Sequence, residues 1–345
     1  MLAISPDGKW LYFVGFQNER GMEPAHVLLR GPVLLPSNSD KQDYLAFPQG
    51  EKRPVPIVGR GMGRHERIPG SDDRHLNWPR DVDCDSAGRI YVTDTLNNRV
   101  QIFDSNGNVL RTISVERPQL IQVHKKTGFV YISHQRRRQG TSIWCISKLT
   151  PFPALQSVHT WDDIPAAVMT LDSWSESPRL WLSGIQATAH GTTRLSSNAF
   201  LLRVYEEADN KELKIISDFE EEAYRDSEGN WIKWPGGMGN KVVCDPLRER
   251  VYWDNEWIFD LPSGKLLGRA PMGRLSPNEI AFDKKGYMHV HQGGHSAPKP
   301  IIRVSPDRVE GGEYAEVPYD YGVEYGKYKG VILPPATDTQ FYSWG

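Results

Sequence analysis

Hydrophobic and polar residues alternate along residues 77–108 in short runs that are separated by polar turn sequences. The run Asp-Val-Asp-Cys is followed by Asp-Ser-Ala-Gly, and the run Arg-Ile-Tyr-Val-Thr-Asp is followed by Thr-Leu-Asn-Asn. An alternation with period two places Val82 and Cys84 on one face of a strand, and pairs Ile90 with Val92 in the same way. The segment therefore predicts strand, turn, strand, turn and strand in about thirty residues.

The same order of strands and turns recurs along the chain. Each repeat holds an apolar alternation, a polar turn that usually contains Gly or Pro, a second alternation and a later strand. Periods of about 40 to 50 residues of strand pattern are typical of β-propeller blades. We predict an all-β fold, a six-bladed β-propeller of four-stranded antiparallel blades that spans residues 1–345 as a single domain. The predicted blades are residues 1–59, 77–115, 117–162, 166–219, 231–269 and 274–320.

One repeat resembles a known family. Residues 79–107 read PRDVDCDSAGRIYVTDTLNNRVQIFDSNG. This is similar to the NHL repeat, whose pattern is Pro-x-Asp-Val, Asp-x-x-Gly, Tyr-Val-x-Asp, Asn-x-Arg-Val and Phe-Asp. The resemblance is specific here, fair in residues 276–307 and limited to the strand skeleton in the other repeats. It implies a six-bladed propeller over most of the chain. The Trp-Asp pair at Trp253 ends a predicted second strand, which disfavours a WD40 propeller.

Composition narrows the possible functions. The 345 residues are 39% hydrophobic and 24% charged, which is an ordinary globular balance. A net charge of -2 gives no indication of a nucleic-acid-binding or membrane-surface protein. No apolar run approaches the roughly 20 residues of a membrane-spanning helix. The three cysteines show no zinc-ribbon or haem-attachment spacing and are expected to be small buried residues.

The first repeat lacks its opening residues. The position equivalent to Arg80 would precede Met1, so the chain is expected to begin within a blade. Two explanations remain open: the last blade completes the first, or the sequence is a fragment of a longer protein. The start of the chain has no signal-peptide pattern. The compartment is left open: the resemblance to exported propellers is compatible with a secreted or periplasmic protein whose signal has been removed.

Four polar residues share one place in their repeats, just before the innermost strand. In a propeller the innermost strands begin near the central axis, on the face where the loops after the second strands emerge. We expect these four residues to converge there with the residues that end the second strands, including Asp94. Polar residues at such a funnel are a usual ligand site; the alternative is a funnel lined with water-bridged residues. The predicted ligand-binding residues are Arg80, Gln119, His134, Asn240, Asp254, Asn278 and His291.

Histidines recur in the last predicted blade with the spacing H-x-H-x-x-x-H. His289 and His291 share a strand face, so two imidazoles could meet one ion. The predicted metal ligands are Asn278, His289, His291 and His295; the alternative is that the strand histidines form hydrogen bonds between blades. Imidazoles would favour zinc, and oxygen ligands would favour calcium or magnesium. Whether any divalent cation is bound stays open at this stage.

Three consecutive arginines, residues 136–138, directly follow His134. Such a run is most often a solvated loop. On the funnel face the guanidinium groups could instead hold a carboxylate or a phosphate in bidentate fashion.

Two enzyme families share this architecture. Residues 69–85 resemble blade openings of the peptidyl-hydroxyglycine amidating lyase, which has zinc histidines after the proline. This chain has Arg80, Gln119 and Asn278 at those places, so the zinc site is not carried over. Ser-Pro-Asn-Glu at residues 276–279 and Ser-Pro-Asp-Gly at residues 5–8 are similar to ion-binding segments of gluconolactonase-like propellers. That resemblance implies a divalent ion that polarises an ester or carboxylate.

Two functional classes follow. The first is a non-catalytic recognition module that binds a small molecule, a glycan or a protein at the funnel. The second is a metal-assisted hydrolase, lactonase or lyase in the same funnel. We favour the first, because no complete catalytic set aligns and the sequence contains no G-x-S-x-G, P-loop or H-E-x-x-H motif. Neither nucleic acid nor a membrane is an expected partner, and a monomer is expected.

Overall fold

The computed structural model describes fourteen stretches of the chain. At several strand positions, including Asn278 and His291, it describes the backbone alone. The described stretches are residues 2–14, 26–32, 55–59, 68–173, 175–184, 201–218, 242–245, 247–253, 257–263, 266–269, 277–282, 286–292, 301–310 and 313–316.

The described strands form six antiparallel sheets, which we number as blades in chain order. Blade 1 contains β1 (Leu2–Ile4), β2 (Trp10–Phe13), β3 (Leu28–Pro32) and β4 (Val55–Val58). Blade 2 contains β5 (Pro79–Cys84), β6 (Ile90–Asp94), β7 (Arg99–Phe103) and β8 (Val109–Ser114), with a 3-10 turn at Thr95–Asn97. Blade 3 contains β9 (Pro118–Val123), β10 (Val130–Arg138), β11 (Thr141–Leu149) and β12 (Ser157–Asp162).

The later blades follow the same plan. Blade 4 contains β13 (Val168–Leu171), β14 (Arg179–Gly184), β15 (Leu201–Glu207) and β16 (Leu213–Asp218). Blade 5 contains β17 (Val242–Asp245), β18 (Arg250–Trp253), β19 (Trp257–Asp260) and β20 (Leu266–Arg269). Blade 6 contains β21 (Pro277–Phe282), β22 (Met288–Gln292), β23 (Ile301–Glu310) and β24 (Glu313–Glu316).

The strands of every sheet lie side by side in chain order. Six four-stranded antiparallel sheets are the architecture of a six-bladed β-propeller, so the predicted all-β fold class is confirmed. The chain divides into two compact units, residues 1–112 with 270–345 and residues 113–269. In the first unit the innermost strands β21, β1 and β5 are neighbours; in the second, β9, β13 and β17 are neighbours. A single domain over the whole chain stays a prediction.

In blade 2 the second strand is the most buried and the outermost strand is the least buried, and the sequence explains why. All five residues of β6 are buried: three are apolar, and the other two are Thr93 and Asp94. The outermost strand β8 has only two half-buried residues, because one of its edges and much of its surface face water. The sequence of β8, Val-Leu-Arg-Thr-Ile-Ser, accordingly mixes polar and apolar residues.

A buried aspartate closes the turn after the innermost strand of blade 2. Oδ1 of Asp85 accepts hydrogen bonds from the backbone N–H groups of Ala87 and Arg89, both at 3.0 Å. Oδ2 accepts from Nε of Arg89 at 2.6 Å and from the hydroxyl of Tyr91 at 2.9 Å. Asp245 performs the same task in blade 5, where its Oδ1 accepts from the N–H of Leu247 at 3.1 Å. Each turn is thus stabilised by residues of its own blade.

Apolar contacts between neighbouring blades form the cores within each unit. In the first unit, Tyr12 and Leu28 of blade 1 pack in one cluster with Val92 and Phe103 of blade 2. In the second unit, one cluster joins blades 3 and 4 and another joins blades 4 and 5 through Trp181 and other large side chains. Among the described stretches, no helix has the length and hydropathy needed to cross a membrane.

Candidate functional site

The innermost strand of a blade begins where its second strand ends. The register pairs Pro79 with Asp94 in blade 2, Pro118 with His134 in blade 3, and Pro277 with Gln292 in blade 6. We call this end of each sheet its entry end. Three of the four residues aligned from the sequence therefore lie at equivalent backbone positions, one residue after these prolines.

These equivalent positions coincide with β-bulges. In all three blades the register shifts just after the proline, so the innermost strand has one residue more than its partner there. Arg80, Gln119 and Asn278 fall within the bulged segments. A bulge bends the strand locally and re-aims a side chain, and bulges are frequent beside binding sites.

Left-handed backbone precedes two of these bulges. Trp78, with φ 59°, lies directly before Pro79, and Arg117, with φ 42°, lies directly before Pro118. Non-glycine residues avoid this region because Cβ crowds the backbone, at a cost on the order of 1 kcal/mol. In blades 2 and 3 a left-handed residue followed by proline thus precedes the innermost strand, at some cost in free energy. This backbone fixes the direction from which the chain enters the strand.

The predicted ligand residues occupy different surroundings. Arg80 is exposed, whereas Gln119 is buried and its Nε2 donates to the carbonyl of Arg117 at 2.9 Å. Asn278 and His291 are described in their backbone only. The remaining predicted residues, Asn240, Asp254 and His295, lie outside the described residues. Convergence of this set on a common funnel stays a prediction.

His134 is a buried member of a hydroxyl chain. Its Nε2 lies 2.9 Å from Oγ of Ser147, and that oxygen lies 2.9 Å from Oγ1 of Thr160. Burial lowers the pKa of His134, so the neutral imidazole is favoured. The sequence interpretation overlooked Ser147 and Thr160. Their signal is the two-residue spacing in Cys-Ile-Ser and Thr-Trp-Asp, which puts both on the face that carries His134.

A second row crosses the same face of blade 3. Cys145 pairs with His134 on one side and with Asp162 on the other. Burial, together with the Asp162 carboxylate, raises the pKa of the Cys145 thiol to about 12. Asp162 also forms an ion pair with Arg136. The residue types Cys, His and Asp are those of a catalytic triad. The row does not have the reactivity of a triad, because a thiol with this pKa stays protonated at neutral pH.

Asp94, at the entry end of blade 2, is completely enclosed by donors. Its Oδ1 accepts from the N–H of Asn77 at 2.6 Å, and its Oδ2 accepts from Asn97 at 2.8 Å and from Nε of Arg99 at 2.6 Å. The guanidinium of Arg99 also donates to three carbonyls of the preceding loop, including that of His75 at 3.0 Å. Burial raises the pKa of Asp94 against the opposing effect of these donors. Asp94 thus holds the loop in place.

The second hairpin of blade 3 extends beyond its sheet. β10 and β11 pair along their whole length, up to Arg138 and Thr141. By contrast, β9 reaches β10 only as far as His134, and β12 reaches β11 only as far as Cys145. Residues 135–144 therefore project past the entry end for roughly 14 Å, the rise of four strand residues. We call this two-stranded projection the arginine arm.

The arm is closed by a tight turn and anchored at its base. Gln139, with φ 50°, and Gly140, with φ 83°, form a two-residue turn with both residues left-handed, as in the hairpins that match strand twist. The Arg136–Asp162 ion pair joins the arm to β12. On the other side, the backbone N–H of Arg137 donates to the Glu116 carboxylate at 3.2 Å.

The predicted metal residues lie in blade 6. The side chain of His289 is fully buried. The register pairs Glu279 with His291 and Ala281 with His289, so positions 279, 289 and 291 fall on one face of the β21–β22 pair. Within the parts of the chain that the structure describes, no three His, Cys, Asp or Glu side chains are grouped so as to hold an ion. The metal site predicted from the sequence stays a prediction.

Comparison with known proteins agrees with this fold. Residues 76–103, in blade 2, match the family model of the NHL repeat. The protein is therefore a six-bladed β-propeller whose second blade matches the NHL repeat, as predicted from the sequence.

Three solved structures are similar to the chain at low identity. Hydrazine synthase from Kuenenia stuttgartiensis has 11% identity and a TM-score of 0.43, with 84% of this chain and 91% of that chain covered. A functionally unknown protein from Desulfotomaculum acetoxidans has 13% identity and a TM-score of 0.47, with coverage of 97% and 88%. The gluconolactonase XC5397 from Xanthomonas campestris has 11% identity and a TM-score of 0.48, with coverage of 87% and 84%. Similarities at this level do not carry an activity over to this chain.

Proposed function

We propose that this protein is a non-catalytic recognition module that binds its ligand at the entry end of its blades. One contrast at the entry end of blade 3 carries the proposal. The side chains with reactive chemistry, His134 and Cys145, are buried and held in their uncharged forms. The strong hydrogen-bond donors Arg137 and Arg138 are exposed. Such a surface is suited to binding and poorly suited to covalent catalysis.

The repeated lead-in of the innermost strands supports the same conclusion. Blades 2 and 3 share the same succession of a left-handed residue, a proline and a bulge. This backbone places Arg80 and Gln119 at matching positions in the two blades. A costly backbone that recurs at one end of the blades is typical of a site where side chains must be placed accurately. The classes of ligand that we consider are a small molecule, a glycan and a protein.

A thermal-shift screen tests the proposal. The protein, treated with EDTA, is incubated with sugar acids, oligosaccharides and peptides, and each mixture is analysed for new products. A ligand that binds only the folded state raises the melting temperature. We expect such a ligand to be found, to remain chemically unchanged, and to lose affinity in Arg80→Ala but not in Arg111→Ala, an exposed arginine on β8. Turnover of the ligand, abolished by EDTA, would overturn the proposal.

A metal-assisted hydrolase is the second candidate, and one observation favours it. Positions 279, 289 and 291 fall on the same face of a strand pair and are Glu, His and His in the sequence. This combination of residue types suits divalent transition metals. Calorimetric titration with ZnCl2, MnCl2 and CaCl2, repeated on Glu279→Gln and His291→Ala, tests it. Stoichiometric binding that both changes abolish, together with metal-dependent ester or lactone hydrolysis, would replace the recognition module with this candidate.

A further inference from the structure

The two outermost arginines of the arginine arm are Arg137 and Arg138, and the Glu116 carboxylate beside them accepts from the backbone N–H of Arg137. Arg136 is committed to Asp162 at the base of the arm. The side chains of Arg137 and Arg138 are exposed and form no ion pair with any carboxylate that the structure describes. Two exposed guanidinium groups on a projecting element, without an ion-pair partner among the described residues, attract anionic partners and remain accessible to them.

The positions of these arginines exclude a single small anion as the best ligand. Arg137 and Arg138 are consecutive strand residues, so their side chains leave the arm on opposite faces. Across the hairpin, Arg137 is paired with Ser142 and Arg138 with Thr141, so each arginine has a hydroxyl residue beside it on its own face. A ligand that uses both faces must be a chain that carries several negative charges.

The unpaired edge of β11 in the arginine arm indicates that the negatively charged ligand is a peptide chain. The N–H of Gln135 donates outward to the carbonyl of Arg117 at 3.3 Å, and the carbonyl of Trp144 accepts outward from Ile164 at 3.2 Å. By the two-residue periodicity of a strand, the backbone groups of Ser142 point outward in the same way. β12 does not extend beyond Cys145, so no described strand pairs with this exposed position. The outward N–H and C=O groups of Ser142 can therefore form backbone hydrogen bonds with an added peptide strand.

We propose that the arginine arm binds an acidic peptide segment of a protein partner in an extended conformation, along the edge of β11 at Ser142. The partner's backbone pairs with this edge, and neighbouring acidic residues reach the two faces that hold Arg137 and Arg138. β10 lies beyond β11, so the arginines are two strand spacings, about 9.6 Å, from the partner's backbone. An arginine and a glutamate side chain that reach toward each other across β11 span this distance together. This inference rests on the proposed function and names the partner class for it.

Fluorescence polarisation with a labelled peptide tests the inference. The probe is a short fluorescein-labelled peptide that contains pairs of Glu separated by Thr, and the matched control peptide has Lys in place of Glu. We expect the acidic peptide to bind and the lysine peptide not to bind. Reversing each charge, as Arg137→Glu and Arg138→Glu, should weaken binding roughly tenfold, since a charge-assisted hydrogen bond is lost each time. Binding should also weaken as salt rises.

Control variants separate a local effect from a general change of charge. Arg111 and Lys214 are exposed strand residues outside the arm, so the double change Arg111→Glu with Lys214→Glu should leave affinity within about twofold. Ser142→Pro removes the outward N–H and should also weaken binding, while circular dichroism and melting temperature report whether the fold is kept.

Each remaining outcome has a defined meaning. Failure of the acidic peptide to bind overturns the inference. So does a loss of affinity in the Arg111→Glu, Lys214→Glu double variant that equals the loss in a double variant carrying Arg137→Glu and Arg138→Glu. Arm-dependent binding of polygalacturonate without peptide binding also overturns it, because the partner class is then a glycan; the recognition module itself would survive that result. EDTA-sensitive turnover of a ligand would instead remove the proposed function.

Discussion

The carboxylate of Asp94 accepts a hydrogen bond from Nε of Arg99 at 2.6 Å, although Asp94 is fully buried and Arg99 nearly so. Asp94 ends the Tyr-Val-x-Asp element of the NHL pattern, and Arg99 belongs to its Asn-x-Arg-Val element. Their pairing across the start of β7 explains the spacing of the two elements. Arg99 then donates to carbonyls of residues 71–75, so a single ion pair fastens the loop that leads into blade 2.

Replacing Asp94 with Ala should strongly destabilise the protein. The change leaves the guanidinium of Arg99 and the N–H of Asn77 without their acceptor inside the sheet. Breaking one partner out of a buried pair costs about 3 kcal/mol or more in the free energy of unfolding. Guanidinium chloride titration measures the loss. Asp73→Ala, at an exposed position of the same loop, should cost less than about 0.5 kcal/mol; equal losses would refute this account.

The cysteines should be unreactive in the folded protein. Cys84, Cys145 and Cys244 are all buried, and burial raises the pKa of the Cys145 and Cys244 thiols. At pH 8 the thiolate that attacks a disulfide reagent is therefore almost absent at these two residues. Titration with Ellman's reagent should show no rapid reaction in native buffer and three reactive thiols in denaturant. Rapid labelling of Cys145 in the native state would contradict the assigned burial.

The free energy of unfolding should fall in mildly acidic buffer. Burial lowers the folded-state pKa of His124 and His134 below the ordinary value of 6.5. The stability that these neutral imidazoles provide is therefore present above pH 6.5 and is lost as pH falls through the folded-state pKa values. His134→Gln keeps a hydrogen-bonding group near Ser147 but cannot gain a proton, so the unfolding free energy of this variant should change less between pH 7.5 and pH 5.5. An unchanged pH dependence in this variant would disprove the role given to His134.

The backbone at Arg117 should favour glycine. Its φ of 42° is easy for glycine and unfavourable for a β-branched residue. Arg117→Gly should leave the melting temperature unchanged or raise it, whereas Arg117→Val should lower stability by about 1 to 2 kcal/mol. Differential scanning fluorimetry of the two variants measures this difference. If valine were tolerated as well as glycine, the left-handed lead-in to blade 3 would not exist in solution.

The fold was predictable because its signal is local. Alternation with period two and a polar turn mark each blade within a short stretch, as in residues 82–92, where the turn is Asp-Ser-Ala-Gly. The register then confirms that Arg80, Gln119 and Asn278 are equivalent, since the proline before each of them sets the same alignment.

The surroundings of the candidate residues were harder to predict. The burial of His134 depends on Ser147 and Thr160, which come from two other strands of the sheet, and no local pattern reports such a contact. The arginines after His134 were expected in a loop, yet they continue β10, because the strand extends beyond its inner neighbour. Sequence gives the face of a residue in a strand, whereas its burial depends on what packs against that face.

The carboxylate of Asp85 accepts hydrogen bonds from donors that lie no more than six residues further along the chain. A unit that closes its own corners makes few demands on the sequences of its neighbours. What neighbouring blades must match is the apolar surface that they share, as where Tyr12 of blade 1 packs with Phe103 of blade 2. Residues away from both the corner and that surface can differ between blades, as Arg80, Gln119 and Asn278 do at equivalent places.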